Sequence, residues 1–161
     1  MKRDDYVLIL HNIRSTHNVG SIFRTADAAG VSKVYLTGYT PAPRDRFKRI
    51  QSNIAKTALG AEETVTWEQG ELAAVRRKLK NAGFTIISVE QDKRATPLAE
   101  FVPRPKTAFI FGNEVRGVSK QVRDSSDEIV EIPMLGTKES LNVSVSVGIV
   151  LFHSRAMGTS S

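Results

Sequence analysis

The sequence contains no cysteine, only three histidines and a single tryptophan in 161 residues. The lack of cysteine excludes disulfides and thiolate metal sites, and it fits a cytoplasmic protein. The histidines, His11, His17 and His153, are widely spaced. Zinc sites usually need about four ligands at short spacings, so we expect no structural metal.

Long apolar runs are also lacking. No run reaches the roughly 18 to 20 residues that a membrane span requires. The N-terminal stretch MKRDDYVLIL begins with basic residues, but its apolar run is short and no small-residue cleavage site follows. We therefore predict no membrane span, no secretory signal and a cytoplasmic location. The length of 161 residues favours one domain over 1–161.

Acidic residues are fewer than basic ones, 17 against 23, which gives a formal charge of +6 and a pI near 9.8. This balance points mildly to a polyanionic partner such as RNA. Charge alone fits a basic protein without such a partner equally well.

Hydrophobic periodicity predicts alternating strands and helices, and hence an α/β fold with a mainly parallel sheet and helices on both faces. The predicted strands are Tyr6–Ile13, Lys33–Gly38, Glu63–Trp67, Phe84–Gln91, Lys106–Gly112 and Glu128–Pro133. The predicted helices are Asn18–Gly30 with Asn18 as N-cap, a basic stretch within Tyr39–Glu62, Gln69–Gly83, and Ser119–Asp127 capped by Ser119. Ligands in such sheets usually bind beyond the carboxyl ends of the strands.

A basic segment follows the second strand. It carries one acidic residue, two aromatics close by (Tyr39 and Phe47), and five candidate RNA-binding cations, Arg44, Arg46, Lys48, Arg49 and Lys56. Basic residues beside aromatics suit a nucleic-acid backbone together with an unstacked base. The alternative is a solvated helix face.

Two further segments contain candidate polar groups. FIFGNEVRGVS places Gly112 and Glu114 directly after an apolar strand, and it fits neither a phosphate-binding P-loop nor a dinucleotide-binding glycine motif. In HNVGSIFRTAD, Arg24 lies off the apolar stripe of its helix and faces a cleft or solvent. The plain alternatives are an ordinary turn with a Glu114–Arg116 pair, and a solvated Arg24 paired with Asp27.

The stretch ESLNVSVSVGIVLF, Glu139–Phe152, alternates apolar and polar residues, which by itself predicts a half-buried strand. Its polar positions carry no charge after Glu139, which is unusual for a strand face exposed to water. Ser140 is a possible helix cap.

These three segments, in this order, resemble the three motifs of SpoU-type (TrmH-like) RNA 2′-O-ribose methyltransferases of the SPOUT superfamily. The first resembles NIRSTHNVGSIFRTADAAG with Asn18 and Arg24, the second FIFGNEVRGVS with Gly112 and Glu114, and the third IPMLGTKESLNVSVSVGIVLF with Ser140 and Asn142. KTALGAE at 56–62 is similar to the family as well, so the resemblance spans essentially the whole chain. Val115 departs from the family's common glycine. A β-branched residue resists positive φ, so we expect the loop to take another path there or to start from a negative φ.

The resemblance implies a single SPOUT methyltransferase domain without a separate RNA-binding extension and with a deep trefoil knot near the C terminus. It implies an enzyme that uses S-adenosylmethionine to methylate a ribose 2′-hydroxyl in tRNA or rRNA, as a homodimer with the active site near the dimer interface. No metal is expected, because the leaving group is neutral. The implied catalytic residues are Arg24, Asn18, Glu114, Ser140 and Asn142. The implied cofactor-binding residues are Gly112, Ile132, Met134, Leu141, Leu135, Gly136 and Glu139.

For Glu139–Phe152 the resemblance implies a helix instead of a strand. Ser140 lies near the start of this helix, and nearly all of its surface is expected to be buried. Two alternatives stay open: a non-catalytic RNA-binding protein that retains the fold, and a plain dinucleotide-binding α/β protein, against which the missing glycine motif argues. The identity of the RNA and of the methylated nucleotide is left open by the sequence.

Overall fold

The computed structural model describes residues 2–158, which form a seven-stranded sheet and six α-helices. The strands are β1 (Asp5–His11), β2 (Lys33–Thr37), β3 (Trp67–Gly70), β4 (Thr85–Val89), β5 (Thr96–Pro97), β6 (Lys106–Phe111) and β7 (Glu128–Glu131). The helices are α1 (Thr16–Ala28), α2 (Ser52–Ala58), α3 (Ala61–Thr64), α4 (Leu72–Asn81), α5 (Lys120–Asp124) and α6 (Val143–Met157), with a 3-10 turn at Leu98–Glu100.

The strands lie in the order β3-β2-β1-β6-β4-β7-β5, and the paired strands are parallel. Strands β1, β2 and β3 follow one another toward one edge of the sheet. The remaining four strands lie on the other side of β1, with β6 directly beside it. The loops after β1 and β6 therefore diverge between two neighbouring strands, and such a switch point opens a crevice at the carboxyl edge of a sheet.

The core lies on both faces of the sheet. Along β1, Tyr6, Leu8 and Leu10 point to one face and Val7 and Ile9 to the other, and all five are buried. The first face packs against α1, α2 and α6, and the second against α4 and α5. This arrangement confirms the predicted α/β class with helices on both faces. The sheet order does not specify how the chain is threaded, so the knot stays a prediction.

One predicted strand was wrong, and one strand was missed. The strand expected at Glu63–Trp67 begins only at Trp67, because residues 61–64 form the single turn of α3. That turn buries Ala61 and is fixed by the Thr64 hydroxyl, which donates to Asp27 at 3.2 Å. The segment between β4 and β6, for which no strand was predicted, contains the short strand β5, which pairs with β7 through Thr96 and Val130.

The basic helical stretch was also only partly correct. The helix α2 begins at Ser52, whereas Arg44 and Ile50 form an antiparallel bridge that closes a loop. The Asp45 carboxylate prevents a helix here, because it accepts the backbone N–H groups of Phe47 and Arg49 at 2.8 and 3.0 Å. The cationic residues Arg44, Arg46, Lys48 and Arg49 therefore lie on the loop, and Lys56 lies on α2.

The last segment is a helix, as the family resemblance implied, and not the strand that alternation predicted. Asn142, rather than Ser140, caps α6 by accepting the backbone N–H of Ser144 at 2.8 Å. The helix is not buried all round. An apolar face is half exposed, at Val145, Ile149 and Phe152, which keep 50%, 38% and 51% of their surface.

The C-terminal end of α6 is held against the start of the sheet. The Tyr6 hydroxyl donates to the carbonyl of Ser154 at 3.0 Å, and burial raises the pKa of Tyr6 to about 12, so the phenol stays a donor. The Arg155 guanidinium lies over the Tyr6 ring, 4.1 Å from its centroid. It donates to three carbonyl oxygens, those of Asp4, Ala29 and Gly30. Among residues 2–158, no helix is long and apolar enough to span a membrane.

Gly20 sets the distance between α1 and α2. A Cβ atom there would lie 1.9 Å from the Thr57 hydroxyl oxygen and 2.4 Å from the backbone carbonyl oxygen of Ile54. We predict that Gly20→Ala lowers the free energy of unfolding by about 1–3 kcal/mol, because the helices must move apart. Urea unfolding measures the change. Ser21→Ala, which adds no atom to the same helix, is the control, and equal stabilities of the two variants would contradict the prediction.

Candidate active site at the switch point of the sheet

A cavity of about 720 Å³ opens at the carboxyl edge of the sheet, beside the ends of β4, β6 and β7. Its walls come from the loop after β6 and from the segment between β7 and α6, which contain the second and third motifs. Residues that line it include Glu90, Phe111, Gly112, Asn113, Glu114, Arg116, Ile132, Met134, Gly136, Lys138, Glu139, Ser140 and Leu141.

Glu114 joins the first motif to the second. One oxygen of its carboxylate accepts the backbone N–H of Arg14 at 2.9 Å, and the other accepts the backbone N–H of Ser15 at 2.9 Å and the side-chain amide of Asn18 at 3.1 Å. Burial raises the pKa of Glu114, but the donated hydrogen bonds outweigh burial and lower the pKa below its ordinary value. The carboxylate is therefore ionised at neutral pH.

Asn18 is not the helix cap that the sequence predicted. Ser15 caps α1 through its hydroxyl, which accepts the backbone N–H of Asn18 at 3.1 Å. Because this cap is supplied one turn earlier, the Asn18 side chain is buried and free to bind Glu114.

The loop of the second motif is folded by its own asparagine. The Asn113 side-chain oxygen accepts the backbone N–H groups of Val115 and Arg116, both at 2.9 Å. Gly117 has a φ of +66°, and a Cβ on Gly112 would lie 2.3 Å from the Gly117 carbonyl oxygen. The loop can therefore close on itself only because positions 112 and 117 are glycines. Val115 is not among the residues with positive φ, as predicted, and its side chain points to solvent.

The cavity contains most of the predicted cofactor-binding residues. Six of the seven line it, namely Gly112, Ile132, Met134, Gly136, Glu139 and Leu141. Leu135 does not line it, and 96% of its surface is exposed. Glu114 and Ser140, predicted as catalytic, line the same cavity.

Arg24 lies apart from this cavity. It is exposed and borders a smaller hollow of about 360 Å³ together with Thr57 of α2 and Phe152 of α6. Six residues separate it from Asn18, which corresponds to roughly 9 Å along the helix axis. Asn142 does not line the cavity either, because its side chain caps α6.

Two of the five predicted RNA-binding cations lie over an exposed aromatic ring. Phe47 keeps 62% of its surface, and the guanidinium carbons of Arg46 and Arg49 lie 4.8 and 5.0 Å from its centroid. Arg49 pairs with Asp45. The backbone hydrogen bond from Arg49, the largest cause, lowers the pKa of Asp45, together with the Arg49 side chain and the Phe47 N–H.

Sequence reasoning missed Glu90, which supports the cavity from the end of β4. Its carboxylate accepts the backbone N–H groups of Val118 and Gln91, both at 2.8 Å. The signal in the sequence is a charged residue near the carboxyl end of the predicted strand Phe84–Gln91, because polar groups at that edge line the ligand site. Within residues 2–158, no group of three or more His, Asp or Glu residues is arranged to hold a metal ion.

We predict that Glu114→Gln lowers the free energy of unfolding by about 1–2 kcal/mol at pH 7, because an amide offers one acceptor oxygen to three donors. The folded-state pKa of Glu114 lies below the unfolded value, so its stabilisation is complete above the unfolded pKa and is lost as pH falls through the folded one. The difference in the free energy of unfolding between wild type and Glu114→Gln should therefore become smaller below about pH 4. Urea unfolding across pH, with the exposed Glu100→Gln as control, tests this; a difference that does not change with pH contradicts it.

Comparison with known proteins agrees with this arrangement of motifs. The SpoU rRNA Methylase family profile matches residues 5–152. The 23S rRNA (guanosine-2′-O-)-methyltransferase RlmB of Neisseria meningitidis is 39% identical over 150 residues, which cover 92% of this chain and 57% of that protein. The chain thus spans little more than half the length of the curated relatives that it matches.

Solved structures share the fold. The AdoMet-bound rRNA methyltransferase from Sinorhizobium meliloti matches 96% of this chain and 57% of its own, with a TM-score of 0.86 at 23% identity. The TrmH/SpoU tRNA modifying enzyme of A. aeolicus matches 97% of this chain and 76% of its own, with a TM-score of 0.82 at 28% identity. The chain therefore belongs to the SpoU rRNA methylase family.

Proposed function

We propose that this protein transfers a methyl group from S-adenosylmethionine to a ribose 2′-hydroxyl of a structured RNA, either rRNA or tRNA. The observation that carries this proposal is the Glu114 carboxylate, which joins the first two motifs beside a cavity walled by the third. The names of the relatives support the reaction: guanosine 2′-O-methylation of 23S rRNA for the Neisseria protein, and bound AdoMet for the Sinorhizobium structure.

The cavity suits S-adenosylmethionine in size and in chemistry. Its volume of about 720 Å³ is within the usual range of small-molecule sites. Ile132, Met134 and Leu141 offer apolar surface to an adenine ring, and the backbone at Gly112 and Gly136 offers hydrogen-bonding groups. When bound, S-adenosylmethionine supplies a methyl group on a sulfonium, whose departure leaves a neutral thioether.

Arg24 acts on the RNA. In the reaction the ribose oxygen forms a bond to the methyl carbon as the carbon–sulfur bond breaks, and the hydroxyl proton passes to solvent. A guanidinium stays protonated in proteins, so Arg24 is a donor and not a base. It holds the phosphate and the hydroxyl in line and stabilises the developing alkoxide, which accelerates the reaction by alignment and electrostatics.

A second copy of the chain completes the site. Arg24 does not line the cavity of its own chain, yet it borders a hollow with Phe152 on the exposed apolar face of α6. That face presents Val145, Ile149 and Phe152 at helical spacing. Pairing of two such faces about a two-fold axis buries them and brings Arg24 of one protomer toward the cavity of its partner.

We predict that Arg24→Ala abolishes methylation and leaves the S-adenosylmethionine affinity within a few-fold of wild type. Isothermal titration and transfer of labelled methyl groups to unmodified tRNA and 23S rRNA transcripts measure the two effects. Gly112→Leu places a side chain where the Gly117 backbone closes the loop beside the cavity. This variant should lose both S-adenosylmethionine binding and methylation. Co-expression of the two inactive chains should restore roughly one quarter of wild-type activity, because half of the dimers are mixed and each mixed dimer has one intact site.

Other results assign the residues differently. Loss of cofactor binding in Arg24→Ala places Arg24 in the cofactor pocket, and no recovery in the mixed dimers places the whole site within one chain. If the wild-type protein binds RNA but gives no heat with S-adenosylmethionine, the protein is a non-catalytic RNA-binding member of the fold.

The loop at 44–50 supplies part of the RNA surface in this proposal. Arg44 pairs with Glu63 and Arg49 with Asp45, whereas Arg46 and Lys48 have no ion-pair partner within residues 2–158. These two cations are therefore available for phosphates, beside the exposed Phe47 ring.

We predict that Arg46→Gln and Lys48→Gln each weaken RNA binding and reduce the slope of log K against log salt by about one unit. Filter binding of the transcripts at several salt concentrations measures both. Arg104→Gln removes the same charge just before β6, at the opposite edge of the sheet, and serves as the control. The assignment of this loop is wrong if the control reduces the slope as much as the loop variants do.

A further inference from the structure

Tyr39 is an exposed aromatic residue that two of the motif loops hold in place. It follows β2, at the same edge of the sheet as the cavity, and 57% of its surface is exposed. Its backbone N–H donates to the Asn12 side-chain oxygen at 3.2 Å, and its hydroxyl oxygen accepts the Asn113 side-chain amide at 2.9 Å. Hydrogen bonds therefore fix the Tyr39 backbone on one side of the ring and the hydroxyl on the other, while the ring stays exposed to solvent.

The surrounding backbone is shaped for this contact. Asn12 has a φ of +59°, and its carbonyl accepts the second N–H of the Asn113 amide at 3.0 Å. A Cβ on Gly38 would lie 1.8 Å from the Asn12 side-chain oxygen, so only glycine permits the approach. The positive φ of Asn12 and the required glycine at position 38 thus serve to hold a Tyr39 ring that is mostly exposed to solvent.

The same two loops carry two cations. Arg14 lies on the first-motif loop, where its backbone N–H donates to Glu114, and Arg116 lies on the second, where its backbone N–H donates to Asn113. Both are exposed, and within residues 2–158 neither forms an ion pair. Arg116 also lines the cavity. A fixed aromatic ring, with an available guanidinium on each of the two loops that hold it, matches an unstacked base with its neighbouring phosphates.

We propose that the Tyr39 ring stacks on an unpaired base at the methylation site, with Arg14 and Arg116 contacting the adjoining phosphates. This inference rests on the proposed function and adds the class of substrate: a nucleotide in a single-stranded loop or bulge. Asn113 links the ring to the cavity, so stacking of the base sets the position of its ribose relative to the cofactor site. The ring is already ordered in the free protein, so little conformational entropy is lost when RNA binds.

The test compares Tyr39→Phe, Tyr39→Trp and Tyr39→Leu on a transcript that the wild-type protein methylates. Stacking predicts that Tyr39→Phe and Tyr39→Trp keep kcat/KM within about three-fold of wild type. Tyr39→Leu should lose roughly 10- to 100-fold in kcat/KM with an unchanged affinity for S-adenosylmethionine. Val102→Ala is the control. Val102 precedes β6, and its exposed fraction, 57%, equals that of Tyr39. Equal activity of Tyr39→Leu and wild type overturns the proposal. A loss in Tyr39→Phe as large as that in Tyr39→Leu also overturns it, because then the hydroxyl contact matters and the ring does not.

A second measurement needs no variant. A complementary oligonucleotide annealed over the methylated nucleotide should reduce methylation by the wild-type protein at least ten-fold, and equal methylation of the duplex overturns the proposal. A wild-type protein that methylates no transcript refutes the proposed function itself. A wild-type protein that is active, with an active Tyr39→Leu variant, refutes only the role of Tyr39.

Discussion

Three N–H groups converge on the Glu114 carboxylate, and the geometry of the site depends on that convergence. The loops after β1 and β6 leave neighbouring strands and diverge, so the sheet alone leaves their separation undefined. Glu114 fixes it by accepting two backbone N–H groups from the first loop and the Asn18 amide from the helix that follows. Because α1 starts at this point, the orientation of Arg24 further along the helix depends on the same carboxylate.

A second network, centred on Asn113, extends the same principle to the loop after β2. The single side chain folds its own loop through its oxygen and binds Asn12 and Tyr39 through its amide. Three loops from three neighbouring strands are thereby held as one surface at the carboxyl edge. Loops that are fixed in this way lose little entropy when a ligand binds, which favours a preformed RNA and cofactor site over one assembled during binding.

The sequence predicted most of the fold, because buried parallel strands and amphipathic helices leave strong periodic signals. It failed where distant residues decide the local structure. Alternation in Glu139–Phe152 is compatible with a strand, and only packing of α6 against α1 and the sheet selects the helix. Asn18 looks like a cap from its neighbours alone, but Ser15 supplies the cap and Asn18 binds Glu114, 96 residues away. Tyr39 was noted only as an aromatic near the basic segment, and its partners Asn12 and Asn113 were missed because they lie 27 and 74 residues away in the chain.

The position of Arg24 relates the exposed face of α6 to the proposed reaction. A helix of small and β-branched residues with no charge from Val143 to Phe152 is unsuited to solvent on any side, yet one of its faces is open in the single chain. Arg24, the residue proposed to act on the RNA, borders that open face and does not line the cavity. The proposed dimer explains both observations. A partner packs on the apolar face, and the pairing brings Arg24 of one protomer to the proposed cofactor cavity of the other. Under this proposal activity depends on dimer formation, because in a single chain Arg24 and the cavity lie apart.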